Sequence, residues 1–241
     1  MNADAPARQA TLAGEVREGL RTVAPMAVGA APFGLVFGAA SIANGYTLFD
    51  TLLSSATIFG GASQFVFMEV NGFGVPAWSV VLAVFAVNFR HVLYSASIGR
   101  RLGDYSFLQK ALAFFLLTDL QYAVTEMRGA GGRKVSPAFY FTIGGALYLL
   151  WMVTTLVGGL FGRLIEDPRS LGLDFLLPVY FLAVLMGFRS RKGFLPIALS
   201  SALVSVLAFR LLGPPWHFAL GGLAGVLLAA ALASPERRPD V

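Results

Sequence analysis

A chain of 241 residues with 56% hydrophobic and 13% charged side chains holds about half the charge of a soluble domain, where about 25% is usual. Its mean hydropathy of +0.71, spread over several long apolar runs, describes an all-α polytopic membrane protein. The net charge of +5 sits in short loops between those runs, as expected of loops facing the cytoplasm, so no nucleic-acid partner is expected; with no cysteine there is no disulfide frame, thiolate metal site or thiol nucleophile.

Residues 1–22 are polar and mixed in charge, without the early apolar core of a secretory signal. Leu12, Val16, Leu20 and Val23 recur at helical spacing, which predicts a short amphipathic helix on the cytoplasmic surface. A single transmembrane domain over 23–234 and a solvated tail over 235–241 follow. The first span runs from Val23 to Asn44 and contains Pro25 and Pro32; Pro32 removes a backbone hydrogen bond and predicts a kink. The second apolar segment, Leu52–Val70, is interrupted by Gly60-Gly61. The third runs over Val75–Ile98, and the fourth, Phe107–Thr125, is apolar only to Leu117 before turning to TDLQYAVTE. Ala138–Leu160, Leu171–Phe188, Phe194–Leu212 and Trp216–Ala233 bring the total to eight hydrophobic segments.

Loop charges test how many of these cross. Arg8, Arg17 and Arg21 predict a cytoplasmic N-terminus. If every segment crossed, Arg100 and Arg101 would lie outside. If the second and fourth segments re-enter, every short basic loop lies inside, including Arg128/Arg133/Lys134 and Arg189/Arg191/Lys192. The loop with Glu166, Asp167 and Asp174 then lies outside. These are also the two interrupted segments, and broken backbone at membrane depth needs protein or a wet cavity around it. The expectation is therefore about six transmembrane helices plus two broken, re-entrant segments.

Ionisable groups inside a bilayer cost several kcal/mol unless paired or hydrated. Arg90 and His91 in the third segment and Asp119 in the fourth are such groups, joined by Gln64, Asn88 and Gln121. On a helix, Asn88, His91 and Ser95 share one stripe, with Arg90 and Tyr94 on the next. Two readings stand for Arg90 and Asp119: a structural ion pair with each other, or groups that meet a substrate. Asp119 stands out because Thr118, Gln121 and Tyr122 cluster around it after a deep apolar run. His91 carries either a packing hydrogen bond or a proton. The run FGGASQF, Phe59–Phe65, either packs closely through Gly60 and Gly61 or starts a half-helix whose positive end faces an anion, aided by Ser63 and Gln64.

Enzymatic motifs are missing. Gly61-Ala62-Ser63-Gln64-Phe65 lacks the last glycine of a nucleophile elbow. There is no Walker A sequence and no H-E-x-x-H, and two histidines offer few metal ligands. No cofactor is expected.

The stretches APFGLVFGAA (Ala31–Ala40), FGGASQF, NFRHVLYS (Asn88–Ser95), TDLQYAV (Thr118–Val124) and GLDFLLPVYFLAVL (Gly172–Leu185) resemble the AzlC/YgaZ family, in its order and over most of the chain. The resemblance implies the large subunit of a branched-chain amino-acid exporter in the bacterial cytoplasmic (inner) membrane. It also implies a small hydrophobic partner subunit of the AzlD/YgaH type.

Joined to the residue reading, this gives one expected site. Asp119 meets the ammonium of leucine, valine or isoleucine. Arg90, or the N–H groups after Gly61, meets the carboxylate. Phe33, Phe65 and Phe89 are candidates for the apolar pocket. Ser63, Gln64, Asn88, Gln121 and Tyr122 add polar contacts. Proton exchange through Asp119 or His91 supplies the energy. A passive channel for small zwitterions is the alternative, and a membrane-embedded enzyme a weaker one.

Overall fold

Local capping sets where the helices begin. In the computed structural model, which describes residues 11–162, 182, 185–186, 189–190, 192–213 and 216–232, Thr11 caps α1 (Leu12–Ala43) by accepting from the Gly14 N–H at 3.2 Å. At about 1.5 Å per residue α1 is about 48 Å long, well beyond the about 30 Å of bilayer hydrocarbon. The expected amphipathic helix and first span are thus one continuous helix. No turn sequence parts them, and the chain stays helical through Pro25 and Pro32.

Both segments expected to be broken are broken. The second splits into α2 (Leu48–Ile58) and α3 (Gly61–Gly72). The turn is made by Phe59, a non-glycine residue held at φ 43°, a conformation that is strained for a bulky side chain. α2 starts earlier than the apolar run because Thr47 and Asp50 form a reciprocal capping box. The fourth segment splits into α5 (Phe107–Phe115) and α6 (Asp119–Ala130), with Thr118 capping α6. Between them lies α4 (Ala77–Gly99), and α7 (Pro137–Phe161), α8 (Phe194–Leu212) and α9 (Trp216–Leu232) complete the described helices. Among the described residues there are no strands, and α1, α4, α7 and α8 are long and apolar enough to cross a membrane. The motif Gly172–Leu185, the loop with Glu166, Asp167 and Asp174, and the tail over 235–241 lie outside the described residues, Leu182 and Leu185 excepted.

The chain divides into two compact units, Met1–Gly61 with Arg90–Leu164, and Ala62–Phe89 with Ile165–Val241. In the first, α1 lies along α7. A Cβ on Gly38 would strike the backbone of Thr155 and Gly159, and one on Gly158 the backbone of Leu35. These glycines let the two helices meet backbone to backbone, the usual route to tight packing in lipid. Val23, Phe139, Ile143 and Leu147 close one apolar cluster with Phe59, and Ile98, Leu102, Leu117 and Tyr140 another. At one end of this unit Arg128 is buried. Its guanidinium lies 2.6 Å from Glu15 and 4.0 Å over the Phe139 ring.

The second unit contains an apolar contact of α3 with the start of α4, through Val66, Val70, Val80 and Ala83. It also contains the α8–α9 hairpin, where the Ser201 hydroxyl donates to the Gly221 carbonyl at 2.8 Å. Trp78 and Trp216 approach at 6.2 Å between ring centroids.

Candidate functional site

Placing Asp119 depends on a helix start. Thr118 has extended backbone and its hydroxyl accepts from the Gln121 N–H at 3.4 Å, so α6 begins at Asp119. A carboxylate in the first turn suits the positive end of the helix. Arg90 comes to it from the second half of α4, its Nη1 lying 3.2 Å from Asp119 Oδ2. The Tyr94 hydroxyl, one turn on from Arg90, donates to Asp119 Oδ1 at 2.9 Å. Both carboxylate oxygens are therefore engaged. The ion pair considered from the sequence is present.

Aromatic rings frame the pair. Tyr94 stacks on Tyr122 at 4.1 Å with the rings 12° apart, and His91 meets Tyr94 edge-on at 5.7 Å. Tyr122 is thus held by Tyr94, which already holds Asp119. Gln121 faces inward and is buried; its side-chain amide donates to the Tyr140 carbonyl at 3.1 Å. Its Oε1 has no hydrogen bond among the described residues, and neither has Arg90 Nε. The Arg90 and Asp119 side chains keep 26% and 27% of their surface exposed.

Of the other expected site residues, Phe33 and Gly61 belong to the first unit, and Ser63, Gln64, Phe65, Asn88 and Phe89 to the second. Gly61 opens α3, as a half-helix start requires, and a Cβ there would come within 2.8 Å of the Trp151 ring. Gly61 therefore has a packing role whatever its N–H groups do. Ser63 and Asn88 pair in the second unit, the Ser63 hydroxyl donating to Asn88 Oδ1 at 2.5 Å. Gln64 and Phe65 are buried beside Ser63 on α3. Phe89 is exposed at the end of the second unit's part of α4, and Phe33 is half-buried on α1.

Tyr94 is the contact missing from the expected site. Its signal was local, since it stands one helical turn after Arg90 and so shares its face. A second, outer pair was also missed. The Arg101 guanidinium lies 2.7 Å from Glu126, which also accepts from the Ser97 hydroxyl at 2.7 Å.

Chemically, the pair offers one cation and one carboxylate side by side, on α4 and α6. A zwitterion can exchange with it: its carboxylate takes the guanidinium, its ammonium takes Asp119, and each charge keeps a partner. That limits the cost of desolvation, which is what an unpaired charge would face.

A family described as AzlC protein matches residues 25–165, a span that holds both broken segments and the Arg90–Asp119 pair. The chain is 30% identical over 231 residues to the inner membrane protein YgaZ of Escherichia coli strain K12, covering 92% of this chain and 93% of that one. It is 29% identical over 224 residues to an uncharacterized membrane protein of Archaeoglobus fulgidus, covering 91% and 92%. A similar membrane protein of Helicobacter pylori strain 26695 is 26% identical over 199 residues, covering 83% and 86%. No solved structure matches the chain. This multi-pass membrane protein belongs to the AzlC family.

Proposed function

We propose that the protein is the large subunit of a secondary transporter that exports leucine, valine and isoleucine. The observation that carries this reading is the partly exposed Arg90–Asp119 pair at a helix break in an otherwise apolar chain. The substrate's carboxylate binds Arg90 and its ammonium binds Asp119, opening the pair. Tyr94 and Tyr122 hold the open geometry, since one bonds Asp119 and the other stacks upon it. A proton carried by Asp119 or His91 couples export to the membrane gradient, and a small hydrophobic subunit completes the exporter. Its N-terminus faces the cytoplasm.

The test is counterflow. Vesicles containing the protein, with and without the partner subunit, are loaded with unlabelled leucine and given labelled leucine outside. The expected result is a transient overshoot of label that Arg90→Ala and Asp119→Asn abolish. Folded wild-type protein that gives no overshoot in either preparation would refute the assignment. Flux without saturation or overshoot would mark a channel. Uphill export that survives Asp119→Asn would remove Asp119 from coupling and leave His91.

A further inference from the structure

A cavity of about 650 Å³ opens in the first unit beyond the C-terminal ends of α4 and α6. Its volume is within the range of about 300–1,000 Å³ typical of small-ligand sites. Its wall contains Arg100, Arg101, Arg133 and Lys134 against Asp104 and Glu126, an excess of two positive charges. Three of the cations already have carboxylates: Arg101 with Glu126, Arg133 with Glu18 and Lys134 with Asp104. Arg100 makes no ion pair among the described residues. Arg101 Nε, buried at the atom level, has no hydrogen bond among them. A Cβ on Gly129 would collide with the Arg101 guanidinium, so that glycine lets the guanidinium lie flat on α6.

The surroundings indicate where an anion would come from. The wall is built just after α4 and just before α7, two helices long and apolar enough to cross a membrane. If these helices cross, their ends put the cavity at the boundary between hydrocarbon and water. Beside it, α5 starts with Phe107 and Leu108, which are 90% and 67% exposed. A charged rim next to an uncovered apolar helix face fits a molecule with an anionic head and hydrocarbon tails. Free phosphate would use only the rim.

We propose that this cavity binds the phosphodiester headgroup of an anionic phospholipid. Arg100, which makes no ion pair among the described residues, meets the phosphate oxygens, Lys134 adds charge, and the acyl chains lie along Phe107 and Leu108. Basic pockets at the ends of membrane helices recognise lipid headgroups in this way.

The test equilibrates the full chain with vesicles of equal phosphatidylglycerol and phosphatidylcholine, extracts it in neutral detergent and quantifies the retained lipid. Wild type should retain phosphatidylglycerol preferentially. Arg100→Gln, which touches no ion pair, should lower that retention about fivefold, and Arg100→Gln with Lys134→Gln about fivefold again. The lipid-free melting temperature of Arg100→Gln should be unchanged, which separates binding from folding. Equal retention of the two lipids by wild type, or equal phosphatidylglycerol retention by wild type and Arg100→Gln, would overturn the proposal. If millimolar inorganic phosphate stabilises the protein and displaces phosphatidylglycerol, the site takes free phosphate and the lipid assignment falls.

Discussion

The Tyr140 hydroxyl donates to the carbonyl oxygen of Ala113 at 2.8 Å, closing the last turn of α5. About two turns further along α7, the Tyr148 hydroxyl does the same for Ala56 in the last turn of α2, at 3.0 Å. A helix end leaves its last carbonyls without partners, and hydrocarbon supplies no water to meet them. One continuous helix thus provides the hydrogen bonds that let two others stop short.

Tyr140→Phe removes the first of these bonds and little else. Tyr140 is fully buried, so the Ala113 carbonyl is left unsatisfied at a cost of about 1–3 kcal/mol. Thermal unfolding in detergent should show a lower midpoint for Tyr140→Phe, and for Tyr148→Phe to a lesser degree because its bond is only partly buried. An unchanged midpoint for Tyr140→Phe would mean that the break is satisfied in another way.

The α1–α7 contact predicts a contrast between two glycines on one helix. Gly158→Ala drives a methyl group into the Leu35 backbone, and overpacking of this kind costs about 1–3 kcal/mol. Gly145 has nothing within 4 Å of an added Cβ, so Gly145→Ala should be neutral or stabilising by up to about 1 kcal/mol. Equal unfolding midpoints for the two variants would exclude the close approach.

Arg90 and Asp119 should separate folding from transport. Each single variant, Arg90→Gln or Asp119→Asn, strands a charge. With about a quarter of each side chain exposed, the penalty should fall below the about 3–5 kcal/mol of a fully buried pair. The double variant removes both charges and should recover folded yield in detergent, while counterflow stays absent. Restored counterflow in the double variant would show that the pair is structural only.

At the other end of the first unit, Arg128 and Glu15 are 5% and 8% exposed. Here Glu15→Gln leaves the buried guanidinium with only the more exposed Glu18 carboxylate, 3.0 Å from its Nη1, and should cost less than the about 3–5 kcal/mol of a fully stranded charge. Arg128→Lys should also destabilise, because an ammonium cannot form the same fork or lie as flat over Phe139. Expression and unfolding of both variants provide the check, and wild-type stability of Arg128→Lys would show that the guanidinium's separate bonds to Glu15, Glu18 and the Lys134 carbonyl are not required.

One acid response follows from a loop outside the spans. The hydrogen bond from Lys134, followed by its charge, holds the Asp104 carboxyl below the usual 3.8. The folded state thus releases the proton more readily than the unfolded one. The pair's contribution is fully present above pH 3.8 and disappears as pH falls through the lower folded-state value. Both side chains are about three-quarters exposed, so salt should weaken the effect. NMR titration should give Asp104 a lower midpoint in wild type than in Lys134→Gln, with a smaller gap at high salt. Coincident midpoints would show that the contact does not form in solution.

The sequence by itself determined the membrane class and both helix breaks. Apolar length identifies a spanning helix, and turn chemistry is local: Gly60-Gly61 marks the first break, although Phe59 makes the turn itself, and Thr118 of the polar TDLQ starts α6 after the second. The Thr47 and Asp50 capping box was legible too, but hydropathy alone put the start of α2 four residues late, at Leu52 instead of Leu48. At the site, the residue types and the Arg90–Asp119 option could be read, because few charges occur in the apolar runs. Only the tertiary structure decided that the pair forms, that Tyr94 takes the other carboxylate oxygen, and that Gly61 rests on Trp151. It alone brought Glu15 to Arg128 across 113 residues. Such partners are fixed by which helix faces pack together, and no short-range period in the chain encodes that choice.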